Sequence, residues 1–554
     1  MSDIVLVQPP ITDFYLTAKR TLPYGLASIG AALKKSGFSV SLVDGLAVTR
    51  SRPLDLPPEM DFLKAFYGRK DLSPFALFHQ FTQYGYTIGH IAALVRDAGP
   101  FLVGISSLFT PYAKDALDTA REIRRLVPGC TIVLGGHHPT HLPGSVMESP
   151  DVDLVLRGEG EASMPELARV LKAGSSLDSV PGIVFRRPGG ALHISEPAWV
   201  SHLDALDLPA MDLVNQRFYT RGGKKSIVIV AGRGCPMGCS YCSLGASSAH
   251  ARFRQRSVDS VLLELETACI SGTVGFVDFE DENLTLNRSW FMSLLDGIIN
   301  RFLAMGMELR AMNGLYPPSL DSGVVARMKQ AGFRTLNLSL GSTSLEQLVR
   351  FRRPDVRRAF ETAVRLAEEN GMDAVAYLIA GAPGQDPLQS VDDLIYLAGQ
   401  RVLAGMSVFY PAPGSLDFDL CRRRGLLPGD VSLMRSTALP VSDTTTRVQA
   451  ATLLRLSRIL NFMKSLVDQG IPIPDPVPCP PFIRAGAVNR TDLGLDLLAG
   501  LFQDGHVRGV SPDGEVFCHD VDSGLVLRFL RGTQSAPVRG VVRGSGSVRC
   551  SWQV

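Results

Sequence analysis

Two trains of short apolar runs, separated by amphipathic stretches, organise this chain. The first begins at Asp3 and reads DIVLVQ, GLASIGAALKKSG, FSVSLVD, FLVGISS, CTIVLGG and VDLVLRG, the last near Arg157. Near-continuous Val, Ile and Leu in the strand-like runs predict a parallel sheet covered by helices on both faces. The runs end in small or polar residues: Gln8-Pro9-Pro10, Asp44-Gly45, Ser106-Ser107, Gly135-Gly136 and Gly158-Glu159-Gly160-Glu161. In open α/β sheets those carboxyl ends are where ligands sit. A segment from about Ala47 to Gly89, with many aromatics and prolines, interrupts the second crossover and reads as a lid or packing element.

The second train starts at Ser226: SIVIVAG, VGFVDFED, MELRAMNG, TLNLSLG, DAVAYLIAG and SVFYPAPG, with helical patterns between them. Six such units predict a partial or complete barrel whose chemistry belongs at the strand C-termini. Between the trains, GIVFRRPGGALHI predicts a hairpin turning at Gly189-Gly190, followed by the linker-like LDALDLPAMDLV. Beyond residue 425, RVQAATLLRLSRILNFMKSLV predicts an amphipathic helix with Leu453, Leu454, Leu456, Ile459, Leu460 and Phe462 available for packing on the barrel. PIPDPVPCPP must be extended, and residues 505 to 552 read as short strands joined by glycine-rich turns. The fold class is therefore α/β: an N-terminal doubly wound, Rossmann-like parallel sheet (1–175), a linker with a hairpin (176–225), a partial (β/α)6 TIM-like barrel (226–425) and a small C-terminal capping and substrate region (426–554).

Composition narrows the function classes. Of 554 residues 45% are hydrophobic, and 56 Lys and Arg against 54 Asp and Glu leave a formal charge of +2. That balance supplies no field for steering onto nucleic acid or an anionic membrane. No run approaches the roughly 18 apolar residues of a membrane span, and no basic segment precedes the first apolar run, so a soluble, cytoplasmic protein is expected. Nine cysteines do not form a disulfide framework, because Cys130, Cys269, Cys421, Cys479, Cys518 and Cys550 are scattered singly.

The other three, Cys235, Cys239 and Cys242, fall within eight residues directly after the first strand of the second train. A structural zinc site normally takes four ligands, and no nearby Cys or His pair at the usual spacing completes one. A 4Fe-4S cluster on three cysteines leaves one iron open to an external ligand. Gly232, Gly234, Pro236 and Gly238 let the loop wrap such a cluster closely.

Cys-x3-Cys-x2-Cys with Tyr241 before the third cysteine resembles the signature of radical S-adenosylmethionine enzymes. That resemblance implies an open iron chelating S-adenosylmethionine, whose C–S bond is cleaved by an electron to give a 5'-deoxyadenosyl radical. It extends to Val277-Asp278-Phe279-Glu280-Asp281-Glu282-Asn283, Leu340-Gly341-Ser342-Thr343, Ala380-Gly381-Ala382-Pro383-Gly384-Gln385 and Phe409-Tyr410-Pro411-Ala412-Pro413-Gly414. The implied S-adenosylmethionine contacts are Tyr241, Glu280, Ser339, Gly341, Ser342, Gly381 and Pro383. Relatives often carry Glu-Ser where this chain has Ser342-Thr343. Asp278, Glu280, Asp281, Glu282 and Tyr410 are candidates to face the active site.

The preceding domain is similar to that of the cobalamin-binding subgroup. The residues carrying this are Gln8-Pro9-Pro10, Pro23-Tyr24-Gly25, Gly135-Gly136-His137-His138-Pro139-Thr140 and Arg157-Gly158-Glu159-Gly160-Glu161. The implied cobalamin contacts are Pro10, Tyr24, Ser106, Ser107, Gly135, Gly136, His138, Thr140, Gly158, Glu159 and Gly160. No Asp-x-His-x-x-Gly follows the first strand, so cobalamin is expected without a histidine ligand; Asp504 to Gly509 matches that pattern in the wrong context. The absence of Gly-x-Gly-x-x-Gly argues against NAD or FAD; a Rossmann-like scaffold holding a different nucleotide, or nothing, is the alternative for this domain.

The function implied is a cobalamin-dependent radical methyltransferase. It would use a 4Fe-4S cluster, S-adenosylmethionine and cobalamin to methylate an unactivated carbon of a small-molecule or natural-product substrate, with flavodoxin or ferredoxin as electron donor. A radical cyclase or oxidative rearrangement enzyme without methyl transfer is the second hypothesis, and a non-catalytic corrinoid or redox sensor the third. Methylthio transfer is disfavoured because Cys130 is the only cysteine before Cys235.

Overall fold

The computed structural model describes residues 2–16, 22–244, 253–439, 442–483, 489–542 and 547–548. Strands β1 (Ile4–Gln8), β3 (Val40–Asp44), β6 (Leu102–Ser106), β7 (Thr131–Gly135) and β8 (Leu154–Leu156) pair in parallel in the order β8-β7-β6-β1-β3. Helices α1 (Tyr24–Lys35) and α4 (Gly160–Ala173) cover one face, and α2 (Ile88–Ala98) and α3 (Ala113–Leu126) the other. The two faces bury separate apolar clusters, which is why the strands carry no polar alternation. The predicted hairpin, β9 (Ile183–Arg186) and β10 (Leu192–Ile194), does not lie in a free linker. It adds antiparallel to β8 and lengthens this sheet to seven strands, because Ile183 and Val184 bury against the same clusters.

The barrel strands are β11 (Lys224–Ile229), β12 (Val274–Phe279), β13 (Glu308–Arg310), β14 (Thr335–Gly341), β15 (Asp373–Ala380) and β16 (Leu403–Val408). All pair in parallel, but in two groups, β11-β12-β13 and β14-β15-β16. Among the described residues, isolated bridges, Leu309 to Phe333 and Leu315 to Leu338, join the groups. Between the strands run α5 (Val258–Ile270), α6 (Arg288–Phe302), α7 (Ser322–Ala331), α8 (Arg357–Glu369) and α9 (Pro387–Ala398). Ser257, Asn287, Asp321 and Asp386 cap α5, α6, α7 and α9 by accepting from first-turn backbone N–H groups.

After the barrel, α10 (Arg447–Asp468) opens with a capping box of Thr446 and Gln449. Its Leu453, Leu456, Ile459, Leu460 and Phe462 join the barrel core, as do α11 (Arg490–Asp504) and α12 (Ser523–Ser535). The expectation of only short strands over 505 to 552 is corrected here. β17 (Arg508–Val510) and β18 (Val516–Cys518) form a hairpin, but α12 follows, because Leu525, Val526, Phe529 and Leu530 repeat at helical spacing and meet the core. The insertion after β3 contributes β4 (Ser51–Leu54) and β5 (Phe81–Tyr84), antiparallel to each other, and β5 also pairs antiparallel with β2 (Ile11–Asp13). Its Tyr67 and Phe81 pack with Phe14 against Val408, Leu439 and Ala450. Among the described residues no helix is long and apolar enough to cross a membrane.

Candidate functional site

The carboxyl ends of the first sheet face the carboxyl ends of the barrel strands across a cavity of about 810 Å³. Pro10 after β1, Ser106 at the end of β6 with Ser107 just past it, and Tyr24 at the start of α1 line it from one side. Cys235, Cys239 and Cys242, Glu280 after β12, and Ser339 on β14 line it from the other. The three thiols are free and share one loop. Burial raises the Cys235 thiol and pushes Cys242 up to about 11, with the other cysteines of the loop adding to both shifts. Binding of iron there must therefore release protons. Among the described residues no three His, Cys, Asp or Glu side chains are grouped tightly enough to hold a single metal ion; the terminal ligands of a cubane cluster stand farther apart than the donors around one ion. Asn283 approaches Cys235 Sγ at 4.0 Å, and the Gly234 N–H donates to Glu282 at 3.1 Å.

Arg353 is a cation of this cavity that the sequence did not single out. It follows Arg352, whose left-handed φ of 52° turns the chain inward. Its Nη1 donates to the Tyr241 hydroxyl at 2.6 Å and its Nη2 to the Ser339 carbonyl at 2.9 Å, while its buried Nε has no hydrogen-bond partner. Both Arg353 and Asn283 line the cavity. In the sequence, Arg350-Phe351-Arg352-Arg353 reads as ordinary surface charge, and nothing local distinguishes the one arginine that points in.

The remaining expected S-adenosylmethionine contacts lie elsewhere. Gly341, at φ 82°, sits beside the Arg353 side chain. Ser342 is fully buried and donates to Asp393 of α9 at 2.9 Å. Gly381 and Pro383 line a separate cavity of about 200 Å³ together with Phe409, whose neighbour Tyr410 lines the large one.

A narrower cavity of about 280 Å³ opens beside the first, between the sheet and helices α1 and α4. Leu6, Gly104, Val133 and Met164 form its apolar floor, and Gly135, Gly136, Thr140, Gly158, Glu159 and Gly160 its rim; Ser106 lines both cavities. One glycine here is a steric requirement: a Cβ on Gly136, at φ 122°, would stand 2.5 Å from the Ser107 carbonyl. A Cβ on Gly104 would meet the flexible tip of Met164, at 2.8 Å. His138 is in neither lining. It is buried, with Nδ1 3.4 Å from Thr110 Oγ1 and Nε2 3.5 Å from Ser145 Oγ, and burial lowers its pKa to about 4. Its neighbour His137 lines both cavities instead. The carboxylate of Glu159 is engaged by Arg254 at 2.9 Å, and the Tyr24 hydroxyl stands 3.4 Å from Glu264 of α5. His506, of the misplaced Asp-x-His-x-x-Gly pattern, is exposed just past α11 beside Asp504.

The residues present fit a corrinoid and an iron–sulfur cluster. Ser107 Oγ is buried at the large cavity without a hydrogen-bond partner, a donor suited to the amide rim of a corrin. The narrower slot has the apolar floor that a flat heterocycle requires.

Comparison with known proteins agrees with this geometry. A B12 binding domain model matches residues 79–168, and a Radical SAM superfamily model matches residues 229–395. An uncharacterized methyltransferase, PH0819 of Pyrococcus horikoshii, is 26% identical over 332 residues, 59% of this chain and 71% of that one. The anaerobic magnesium-protoporphyrin IX monomethyl ester cyclase of Synechocystis sp. is 25% identical over 290 residues, 51% of this chain and 56% of that one. Among solved structures, the radical S-adenosylmethionine methyltransferase TsrM from Kitasatospora setae, with cobalamin and a [4Fe-4S] cluster bound, superposes with a TM-score of 0.57 at 19% identity. The match covers 77% of this chain and 76% of TsrM, a shared fold.

Proposed function

From the premise that this chain joins a B12 binding domain to a Radical SAM domain, we propose that it is a cobalamin-dependent radical S-adenosylmethionine methyltransferase. Its cofactors are a 4Fe-4S cluster, S-adenosylmethionine and cobalamin, and its substrate is a small molecule methylated at an unactivated carbon. The observation that carries this reading is the single cavity of about 810 Å³ onto which the ends of both sheets open. Two cofactors held on opposite walls of one chamber meet a substrate between them without either having to travel. Bound together, these groups supply hydrogen-atom abstraction and methyl donation. The division into 1–175, 176–225, 226–425 and 426–554 follows the same assignment, except that the hairpin within 176–225 belongs to the first sheet.

The chain's own residues hold and orient. In this reading Cys235, Cys239 and Cys242 carry the cluster, and Arg353, fixed by Tyr241 and Ser339, pairs with the carboxylate of S-adenosylmethionine. Glu280 and Asn283 face the same ligand. Pro10, Tyr24, Ser106 and Ser107 support the corrin, and Gly135, Gly136, Thr140, Gly158 and Gly160 admit its nucleotide tail to the narrow slot. Phe109 and Tyr410, 44% and 40% exposed on the cavity wall, offer the substrate apolar contact. A low-potential one-electron donor such as flavodoxin or ferredoxin completes the system, and the reducing cytoplasm suits its free thiols.

The likeness to the ester cyclase favours one second reading, radical cyclisation or oxidation without methyl transfer. One experiment separates them. Cluster-reconstituted, cobalamin-loaded protein is incubated anaerobically with S-adenosylmethionine, reductant and candidate substrates, and 5'-deoxyadenosine and S-adenosylhomocysteine are quantified by mass spectrometry. Both products support the methyltransferase, and deoxyadenosine alone with turned-over substrate supports the cyclase. Cys239→Ala is expected to lose cluster absorbance and both products together.

A further inference from the structure

Glu159, in the loop after β8, and Glu161, in the first turn of α4, reach from the first sheet to the barrel. Glu159 accepts from Arg254 at 2.9 and 3.0 Å and stands 3.3 Å from Arg233, which donates to Glu161 at 2.6 Å. The four side chains are 6 to 20% exposed. Arg233 and Arg254 pair with each other across a two-residue antiparallel ladder. In sequence, that ladder brackets Cys235, Cys239 and Cys242. Both ends of the cysteine loop are therefore gripped by carboxylates of the opposite sheet. All four charged residues also line the narrow cavity.

We propose that Glu159 and Glu161 are positioning residues that couple the two cofactor sites, so that a corrinoid tail in the narrow cavity and a cluster on the cysteine loop stabilise one another. The inference rests on the site assignment made above. Its physical basis is dielectric: ion pairs on the wall of a solvent-accessible slot strengthen when the flat heterocycle of the tail fills it and excludes water. The grip on Arg233 and Arg254 then tightens where the loop leaves and re-enters the barrel. Coupling of this kind is reciprocal by thermodynamic necessity.

The test uses full-length protein with a reconstituted cluster. Iron release to a chelator is followed with and without saturating hydroxocobalamin, in wild type and in the Glu159→Gln/Glu161→Gln double variant. Cobalamin is expected to slow release by at least about fivefold in wild type, and by much less in the double variant at a hydroxocobalamin concentration measured to saturate that variant. Equal rates in wild type, or undiminished slowing in the variant, overturns the proposal. Should the variant not fold, the wild type decides: hydroxocobalamin must bind cluster-loaded protein more tightly than cluster-free protein, and equal affinities refute the coupling. If the wild type bound neither iron nor cobalamin, the site assignment would fall and the coupling with it.

Discussion

Gly158 offers a sharp test of how the rim of the narrow cavity is built. Its φ is 89°, and a Cβ added there would stand 2.1 Å from the carbonyl oxygen and 2.7 Å from the nitrogen of Ala198. Those are backbone atoms of a parallel bridge, held by Glu159 N–H donating to Ala198 O at 2.8 Å and Ala198 N–H to Arg157 O at 3.1 Å. Gly158→Ala therefore meets two costs. The left-handed conformation costs about 1–2 kcal/mol for a residue with a Cβ, and opening the bridge forfeits two hydrogen bonds at about 1 kcal/mol each. The expected loss is about 3–4 kcal/mol. Gly174 is the control: it caps α4 at φ 64° with nothing within 4 Å of an added Cβ, so Gly174→Ala should cost only the conformational part, about 1–2 kcal/mol. Urea unfolding followed by tryptophan fluorescence reads both, with Trp199 next to the strained bridge. Equal destabilisation by the two substitutions, or a Gly158→Ala loss under about 1 kcal/mol, would show that the bridge yields freely and that the argument from close approach is wrong.

Arg353→Met should weaken S-adenosylmethionine binding to cluster-loaded protein by about 10- to 100-fold, the worth of a charge-assisted hydrogen bond, with cluster absorbance unchanged; calorimetric titration reads it, and unaltered affinity removes Arg353 from the site. Arg435→Leu should destabilise the protein by about 3–5 kcal/mol, since it strips Asp13, 3% exposed, of a guanidinium 3.3 Å away. Lysine should not rescue it, because one ammonium cannot also reach the Thr12 and Pro111 carbonyls that Arg435 bonds at 2.7 Å; full stability of Arg435→Lys in thermal unfolding would contradict this. Burial raises Asp393 to about 6 despite its bonds to Thr343 and Ser342. A carboxyl raised on folding lends stability that is complete below about pH 4 and lost as pH climbs through about 6. Asp393→Asn should flatten the melting-temperature profile across that window, and an unchanged slope would mean another group titrates there.

Strand runs were legible because burial on both faces leaves no polar alternation to confuse them, and the cysteine loop because three thiols in eight residues need a common purpose. What the sequence concealed depends on partners far away in it. Ser342 looks like a loop residue at a strand end, yet Asp393, 51 positions later, pulls its hydroxyl into the core. His137 and His138 are indistinguishable as letters, and the rotation of about 100° between neighbouring residues of a helix decides that the second is buried and the first faces the cavities. Glu159 reads as a ligand contact but spends its carboxylate on Arg254, 95 residues away. Helix α12 was hidden by flanking glycines whose turn signals outweighed its apolar spacing.

The insertion after β3 and the C-terminal hairpin meet across 439 residues of sequence and are inseparable in space. Leu72 N–H donates to Val510 O at 2.8 Å, Val510 N–H donates to Asp71 at 3.1 Å, and Asp71 also pairs with His519 at 2.9 Å. Asp71 is itself almost wholly enclosed, its side chain 5% exposed. Whoever builds chimeras of this protein must therefore exchange the two segments together, since a graft of either alone strands a carboxylate or an imidazole in the interior.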